Sequence, residues 1–347
     1  MRRGVRGLVK KSSITIRDVA KEAGLSIATV SRYINKKGYI SEKAEKKIKE
    51  VMDQLDYKPN EIARSLSNKK TNTIALIIPD ITNPFFPELV VAIEKIAKGK
   101  GYSLILINTQ EESLHSNGFW RGLESRFIDG LILAAFEFNE SVLKGMENIK
   151  LPFIKVDRAA GDDADNSIGI DNHQGAKLAV QHLIEMGCKK IAHISGPNSY
   201  PSSLDRMKGY VSTMKEYVPK EEVIIYDGDF SLESGKKLTE ELMRDHKNVD
   251  GIFLANDLMA IGALKALKQM KIKVPDEIAI IGFDGIKLTQ MVEPEISTIE
   301  QPIYDLGVIA TTQLINMIEK KNDSIGNIKL DVRLVKREST LGYKPKN

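Results

Sequence analysis

Two hydrophobic patterns divide the chain. Between residues 14 and 59 the apolar positions recur at helical spacing, whereas from Thr73 onward short, nearly continuous apolar runs alternate with amphipathic segments. Helical spacing predicts α-helices, and short continuous apolar runs predict strands that are buried on both faces. The chain therefore combines an all-α N-terminal domain with a larger α/β domain.

The N-terminal pattern predicts three helices, at residues 15–23, 27–34 and 41–55. Gly24 separates the first two, and a pair of short helices around a glycine-containing turn has the spacing of a helix-turn-helix unit. Residues 60–67 predict a further helix, but eight residues are too few for a helix to be stable alone in water. The front of the chain thus predicts a small headpiece followed by a marginal helical segment.

The remaining pattern predicts a doubly wound, two-lobed fold. Strands that alternate with helices form right-handed βαβ units and parallel sheets covered on both faces. Eight or more strands over roughly 270 residues favour two sheets in two lobes over one very wide sheet, and two lobes enclose a cleft. The predicted strands are residues 73–78, 103–108, 129–134, 153–157, 190–195, 223–227, 250–255 and 278–283, and the predicted helices are residues 88–100, 114–127, 174–186, 204–216, 232–244, 258–270 and 304–319.

Charge is unevenly distributed along the chain. The 347 residues carry a net charge of +4, but residues 1–70 hold 18 Lys and Arg against 8 Asp and Glu, whereas residues 71–347 hold 33 against 39. A small basic domain joined to a mildly acidic body is typical of a nucleic-acid-binding unit attached to a regulatory or catalytic domain. The headpiece is therefore the expected nucleic-acid-binding unit.

Several functions are disfavoured by what the sequence lacks. No stretch approaches the roughly 18 uncharged apolar residues of a membrane span, and no apolar segment follows the basic N-terminus, so we expect a cytoplasmic protein without a membrane partner. The single cysteine, Cys188, and five scattered histidines show no metal-ligand spacing. Because no nucleophile–base pair or cofactor fingerprint is present either, we expect no metal, no cofactor, no catalytic residue and no enzyme activity.

Three motifs occur in order: TIRDVAKEAGLSIATVSRYIN at residues 15–35, YKPNEIARSLSNKKT at residues 57–71 and IALIIPDITNPFF at residues 74–86. Together they resemble the LacI/GalR family of transcription repressors. The resemblance continues through DRMKGY, IFLANDLMAIGALKAL, IAIIGFDG and ISTIEQP, so that it covers all but the first 13 residues. It implies a headpiece that reads DNA, a hinge helix, and a core shaped like the periplasmic sugar-binding proteins.

The patterns and the resemblance together define the expected domains. We expect a basic tail at residues 1–13, a headpiece at 14–59, a hinge helix and linker at 60–72, a two-lobed core at 73–340 and a short tail at 341–347. Lobe 1 is expected to contain about 73–170 and 301–329, and lobe 2 about 171–297 and 330–340.

The second helix is the expected recognition helix. The resemblance places Ile27, Ala28 and Arg32 where base edges are read in the major groove, and an arginine suits guanine. In the family the leucine of the ARSL segment, here Leu66, is a wedge in the minor groove that is paired across a dimer. The expected DNA contacts, including donors to phosphates and the hinge residues, are Thr15, Ser26, Ile27, Ala28, Thr29, Ser31, Arg32, Asn35, Asn60, Ala63, Arg64 and Leu66.

Polar residues at the ends of predicted strands mark the cleft, because ligands of doubly wound sheets bind outside the carboxyl ends of the strands. The resemblance assigns effector hydroxyls to Arg206, Asn256 and Asp284. Carboxylates, amides and a guanidinium beside an aromatic face suit a sugar or sugar phosphate. The expected effector contacts are Asp157, Asn256 and Asp284 at strand ends, Arg206 at a helix start, Phe86 and Phe230 as aromatic faces and, from the resemblance alone, Gln301.

Some of these residues also have structural interpretations. Asp157 could pair with the neighbouring arginine, Asp284 could cap the turn after its strand, and Phe86 could pack against a helix. Asp171 and Asn172 are interpreted as caps of the helix that follows them. The sequence leaves these alternatives open.

The predicted function is that of a sequence-specific DNA-binding transcriptional repressor of a carbohydrate-utilisation operon. A homodimer on a pseudo-palindromic double-stranded DNA operator is expected, since one headpiece contacts too little DNA for high affinity. A sugar or sugar phosphate between the lobes would act as inducer or corepressor by changing the folding equilibrium of the hinge. The alternatives are a global catabolite-control regulator with a phosphoprotein corepressor, a sugar receptor without DNA function, and an enzyme.

Overall fold

The computed structural model describes residues 14–35, 38–58, 70–109, 111–124, 128–134, 140–157, 166–321 and 324–344. The chain divides into two compact units, Met1–Thr71 and Asn72–Asn347. The first contains the helical headpiece, and the second contains the α/β core.

The headpiece consists of three helices, α1 (Ile16–Ala23), α2 (Ile27–Asn35) and α3 (Glu42–Gln54). The start of α1 is held by Asp18, whose Oδ2 accepts from both the backbone N–H and the hydroxyl of Thr15, at 2.8 and 2.7 Å. Gly24 then turns the chain towards α2 with a left-handed φ of 61°. The apolar faces of the helices form a small core of Val19, Ala20, Ala23, Val30, Ile48 and Val51.

The core alternates strands and helices along the chain. Its elements are β1 (Thr73–Ile78), α4 (Phe85–Gly99), β2 (Ser103–Asn108), α5 (Glu111–Leu114), α6 (Asn117–Glu124), β3 (Gly130–Ala134), α7 (Glu140–Asn148), β4 (Phe153–Val156), β5 (Ser167–Ile170), α8 (Asn172–Glu185), β6 (Ile191–Ser195), α9 (Pro201–Tyr217), β7 (Ile224–Asp227), α10 (Leu232–Asp245), β8 (Gly251–Leu254), α11 (Asp257–Gln269), β9 (Ala279–Asp284), a 3₁₀ turn (Lys287–Gln290), β10 (Ser297–Glu300), α12 (Ile303–Ile318), β11 (Asn327–Leu330) and β12 (Arg333–Val335).

The strands form two six-stranded sheets, one in each lobe. The order in lobe 1 is β11-β5-β4-β3-β1-β2, and all of its pairs are parallel. The order in lobe 2 is β12-β10-β9-β8-β6-β7, in which the β10–β12 pair is antiparallel. The chain therefore passes between the lobes three times, from β5 to α8, from β10 to α12 and from β11 to β12.

Apolar layers cover both faces of each sheet, as strands in a doubly wound fold require. In β1, Ile74, Leu76 and Ile78 contribute to a cluster on one face, whereas Ala75 and Ile77 contribute to a second cluster on the other. Two further clusters cover the sheet of lobe 2. This burial explains why the strand sequences are nearly continuous apolar runs.

The predicted fold class, a two-lobed α/β core with an all-α N-terminal domain, is confirmed, and the eight predicted strands lie within two residues of the observed ones. Four short strands, β5, β10, β11 and β12, and the helix α7 escaped prediction. The predicted helix at residues 114–127 has different bounds in the structure, where α6 covers Asn117–Glu124 and a separate short helix, α5, precedes it.

Candidate functional site

A cavity of about 440 Å³ lies between the two lobes, at the carboxyl ends of the strands. This volume falls within the range of small-molecule sites, roughly 300–1,000 Å³. Lobe 1 and lobe 2 both contribute to its wall, so a ligand in the cavity would contact both. Six of the seven expected effector contacts line it, namely Phe86, Asp157, Arg206, Phe230, Asn256 and Asp284.

Three of these residues have a left-handed backbone. Asp157 follows β4 with a φ of 59°, Phe230 precedes α10 with a φ of 68°, and Asp284 ends β9 with a φ of 112°. Residues other than glycine rarely adopt such values, and each instance costs of order 1–3 kcal/mol. Backbone strain of this kind concentrates at ligand sites, where it orients a side chain that regular structure would direct elsewhere.

Arg206, on α9, is the best-anchored residue of the cavity. The residue is 2% exposed, its Nε donates to Asn172 Oδ1 at 2.8 Å, and its Nη1 donates to the carbonyl of Ala255 at 2.5 Å. The guanidinium lies over the ring of Phe283, with Cζ 3.7 Å from the ring centroid, and Nη1 is 3.5 Å from Asp284 Oδ1. The arginine is therefore fixed in one orientation at the cavity wall.

The cavity is acidic. Its described lining holds five carboxylates, from Asp80, Asp157, Asp229, Glu233 and Asp284, and a single guanidinium. Burial raises the pKa of Asp157 to about 7 and that of Asp284 to about 6, although the guanidinium lowers both. A neutral ligand with hydroxyl donors is compatible with this field, whereas an anionic ligand would be repelled.

Aromatic rings form the apolar part of the lining. Phe86 lies in the first turn of α4, contacts Phe85 edge to face at 5.2 Å and belongs to the lobe 1 core, so its packing role and its place in the cavity coexist. Phe230 contacts Tyr200 edge to face at 5.9 Å. The ring of Phe230 lies against Gly196, where a Cβ would come within 2.3 Å of two ring carbons.

The N-terminus of α11 supplies both a cavity residue and a structural one. Asn256 caps the helix by accepting from the N–H of Met259 at 2.9 Å, and its Nδ2 donates to the carbonyl of Phe230 at 3.0 Å. Asp257 accepts from the backbone N–H groups of Gly285 and Ile286. Asp257, rather than Asp284, therefore caps the turn after β9, which leaves the Asp284 side chain to the cavity.

Two residues beside the cavity differ from expectation. Gln301 does not belong to the described lining, since it is 3% exposed and its Nε2 donates to Asp284 Oδ1 at 2.8 Å. Asn172 is not the cap of α8, because that role belongs to Asp171, whose Oδ1 accepts from the N–H of Gln174 at 2.8 Å. The interpretation of Asn172 as a cap was wrong, and its contact with Arg206 could not be seen in the sequence.

In the headpiece, α2 presents the residues expected to read base edges. Ile27 is 47% exposed, and Ala28 and Arg32 are exposed as well. Among the residues expected to contact phosphates, Ser26 and Thr29 share a hydroxyl hydrogen bond of 2.9 Å. Their hydroxyls organise the start of α2, and the exposed surface of the helix is polar apart from Ile27 and Ala28.

The remaining expected DNA contacts, Asn60, Ala63, Arg64 and Leu66, lie outside the described residues, as does the basic tail at residues 1–13. Within the part of the chain that the structure describes, no helix is both long and apolar enough to cross a bilayer.

Two known families match most of the chain. Residues 15–60 match the bacterial regulatory proteins of the lacI family, and residues 71–338 match the family of periplasmic binding proteins and the sugar-binding domain of the LacI family. Among curated relatives, the ribose operon repressor of Halalkalibacterium halodurans is 42% identical over 94% of this chain and 97% of its own length. Catabolite control protein A of Priestia megaterium is 34% identical over 94% of this chain and 99% of its own.

Solved structures of LacI-family proteins are also similar to this chain. A Lac repressor dimer bound to operator and an anti-inducer superimposes with a TM-score of 0.85 and 27% identity, over 95% of this chain and all of that one. A LacI-family regulator from Enterococcus faecium with bound ribose has a TM-score of 0.69 and 30% identity, over 77% of this chain and 98% of its own. The chain therefore belongs to the LacI family of bacterial regulatory proteins.

Proposed function

We propose that the chain is a transcriptional repressor of a ribose-utilisation operon, and that a neutral pentose bound between the lobes controls its affinity for operator DNA. The cavity carries this proposal, because it combines a fixed guanidinium, ionisable carboxylates and an amide with the ring of Phe230. Such a set can pair with neighbouring hydroxyls and cover the apolar face of a sugar. The ribose operon repressor of H. halodurans and the ribose-bound regulator of E. faecium support a pentose in particular.

The charge of the cavity favours the free sugar over its phosphate ester. Arg206 is the one cation in the described lining, and three of its interactions are already with Asn172, Ala255 and Asp284. A phosphate group would have to approach five carboxylates without a further cation. We therefore expect sugar phosphates to bind much more weakly than the corresponding sugars.

The DNA side of the proposal follows from the headpiece. Ile27, Ala28 and Arg32 would read base edges, and a homodimer would place two headpieces on the half-sites of a pseudo-palindrome. The Lac repressor, whose fold this chain shares, was solved as such a dimer on its operator. Leu66 and its neighbours would form the hinge contact in the minor groove, and no catalytic step is required.

Control would operate through a shift in populations. A sugar that contacts both lobes favours one lobe arrangement, and an arrangement that disfavours folding of the hinge weakens operator binding. Because a utilisation operon is needed when its sugar is present, we expect the pentose to release the repressor. The protein would act in the cytoplasm, where its operator lies.

Fluorescence anisotropy tests the proposal directly. The purified full chain is titrated onto a labelled duplex carrying the pseudo-palindrome upstream of its own gene, at one fixed salt concentration. D-ribose should weaken binding by about 5- to 150-fold, the usual range of allosteric coupling. Ribose 5-phosphate at the same concentration should have little effect.

A matched variant assigns the response to the cavity. Asp284→Asn keeps the size of the side chain but removes the carboxylate, so it should bind operator normally and respond poorly to ribose. An operator complex that no free sugar affects would instead favour the catabolite-control alternative with a protein corepressor. Failure to bind operator even at low salt would contradict the regulator function itself.

A further inference from the structure

Two buried amides stand on the segments that connect the lobes. Asn172 is the first residue of α8, two residues after β5 of lobe 1 ends at Ile170. Gln301 follows β10 of lobe 2 directly and precedes α12, which packs on lobe 1. Each of the two residues therefore lies on a different one of the three segments that cross between the lobes.

Each amide contacts one charged residue of the cavity. Asn172 Oδ1 accepts from Arg206 Nε at 2.8 Å, and Gln301 Nε2 donates to Asp284 Oδ1 at 2.8 Å. The backbone N–H of Gln301 also donates to the carbonyl of Asp284, at 3.0 Å. Both amides are buried, with exposures of 2% for Asn172 and 3% for Gln301.

The four side chains form a row in the order Asn172, Arg206, Asp284, Gln301. The central ion pair, with Nη1 3.5 Å from Oδ1, is longer than the 2.7–2.9 Å of a strong charge-assisted bond. Its own attraction therefore does not fix either partner closely. The neutral amides orient both charges without neutralising them, so both remain able to bind a ligand.

The other end of each amide has no competing contact. Asn172 Nδ2 and Gln301 Oε1 are buried and have no hydrogen-bond partner among the described residues. The orientation of each amide is therefore decided by the charged residue that it contacts. A movement of Arg206 or Asp284 on sugar binding would therefore displace the amide that it contacts, and with it the crossover segment that carries that amide.

We propose that Asn172 and Gln301 are positioning residues that hold the Arg206–Asp284 pair of the sugar site and tie it to two of the three inter-lobe crossovers. The proposal rests on the proposed function for the identity of the ligand. Asn172 acts through Arg206, and Gln301 acts through Asp284 whether or not it also contacts the sugar.

Asn172 accepts a hydrogen bond from Arg206, whereas Gln301 donates one to Asp284. Substitutions that keep or reverse these directions therefore distinguish a positioning role from a merely structural one. Calorimetric titration of the full chain with D-ribose should show that Asn172→Leu binds at least about tenfold more weakly, because a hydrogen bond to a charged group is lost. Asn172→Asp retains an acceptor for Arg206 and should bind at least fivefold more tightly than Asn172→Leu. Gln301→Glu, in contrast, places a second carboxylate against Asp284 and should lose affinity at pH 8 and recover part of it at pH 5.5.

A neighbouring residue supplies the control. Asp171→Ala removes the N-cap of α8 on the same crossover without touching Arg206, so it should lower thermal stability and leave the ribose Kd within about twofold. Equal losses for Asn172→Leu and Asn172→Asp, or tolerance of a carboxylate at position 301 at pH 8, would overturn the proposal.

A sugar-independent measurement separates this inference from the proposed function. The Nε–H resonance of Arg206, assigned by its absence in Arg206→Lys, should exchange slowly with solvent in the wild type and in Asn172→Asp, and at least tenfold faster in Asn172→Leu. Indistinguishable exchange rates would refute the positioning role. If no pentose binds the wild type, the proposed ligand is wrong, and the exchange rates still decide whether Asn172 positions Arg206.

Discussion

Gly196→Ala offers a sharp test of the aromatic wall, because it changes no polar group. An added Cβ would lie 2.3 Å from Cε1 and Cζ of Phe230 and 2.8 Å from Cε2, whereas ordinary contacts lie at 3.4–4 Å. The ring must therefore retreat by about 1 Å or more. Because Asn256 Nδ2 holds the carbonyl of Phe230 at 3.0 Å, the ring rather than the backbone should move.

The largest loss of sugar affinity follows from the contact area between the ring and the sugar. A ring that covers roughly 40 Å² of the sugar contributes about 1 kcal/mol at 25 cal/mol per Å². An aromatic face adds about 0.5–1.5 kcal/mol beyond its area. Together these give about 2 kcal/mol for complete loss of the contact, so a retreat of the ring should raise the ribose Kd by up to roughly 30-fold.

Calorimetry on a double-mutant cycle tests the mechanism. If Gly196→Ala acts through the ring, it should add little to the loss already caused by Phe230→Ala. Gly99→Ala is the matched control, since a Cβ at that position would meet no described atom within 4 Å. Fully additive losses, or an unchanged Kd for Gly196→Ala alone, would refute the reasoning.

Three further predictions concern charge and DNA. Asp157 and Asp284 have raised pKa values of about 7 and 6 in the free cavity, and their ionised forms accept hydroxyl hydrogen bonds more strongly than their protonated forms, so we expect sugar binding to release protons. The ribose affinity should therefore rise from pH 5 and level off above about pH 7, and the rise should be shallower in Asp284→Asn. A ribose affinity that calorimetry finds independent of pH in the wild type would contradict this prediction. Arg32→Ala should weaken specific operator binding by about 1–3 kcal/mol and scarcely change binding to a scrambled duplex in anisotropy. Leu66→Ala should likewise weaken operator binding much more than nonspecific binding, and equal losses would remove the wedge role.

The sequence predicts the longer buried strands well, although it misses the four-residue strands β5 and β10, whose residues are nearly all buried. A strand covered on both faces must be apolar throughout, so β1 and β3, whose residues are almost all buried, were predictable. Strands at sheet edges are only partly buried, and β11 and β12 show mixed exposure over three or four residues. Their membership of one lobe or the other is set by pairing partners far away in the chain, which local patterns do not encode.

The site is predictable in its residue types but not in its contacts. Strand-end position and family resemblance were enough to select Asp157, Arg206 and Asp284, all of which line the cavity. The distinction between a ligand contact and a supporting contact depends on distances of an ångström or two. The interpretation of Asn172 as a cap is therefore wrong, whereas the contact between Gln301 and the ligand stays a prediction; both residues lie next to charged residues of the cavity.

The left-handed backbone at Asp157, Phe230 and Asp284 also limits how ligand preference can evolve. At such φ values aspartate, asparagine and glycine are tolerated, whereas β-branched residues are strongly disfavoured. Single mutations at these three positions therefore sample a narrow set of side chains before the fold is penalised. Arg206, in a helix, carries no such backbone restriction, and its side chain is constrained instead by its contacts with Asn172, Ala255 and Phe283.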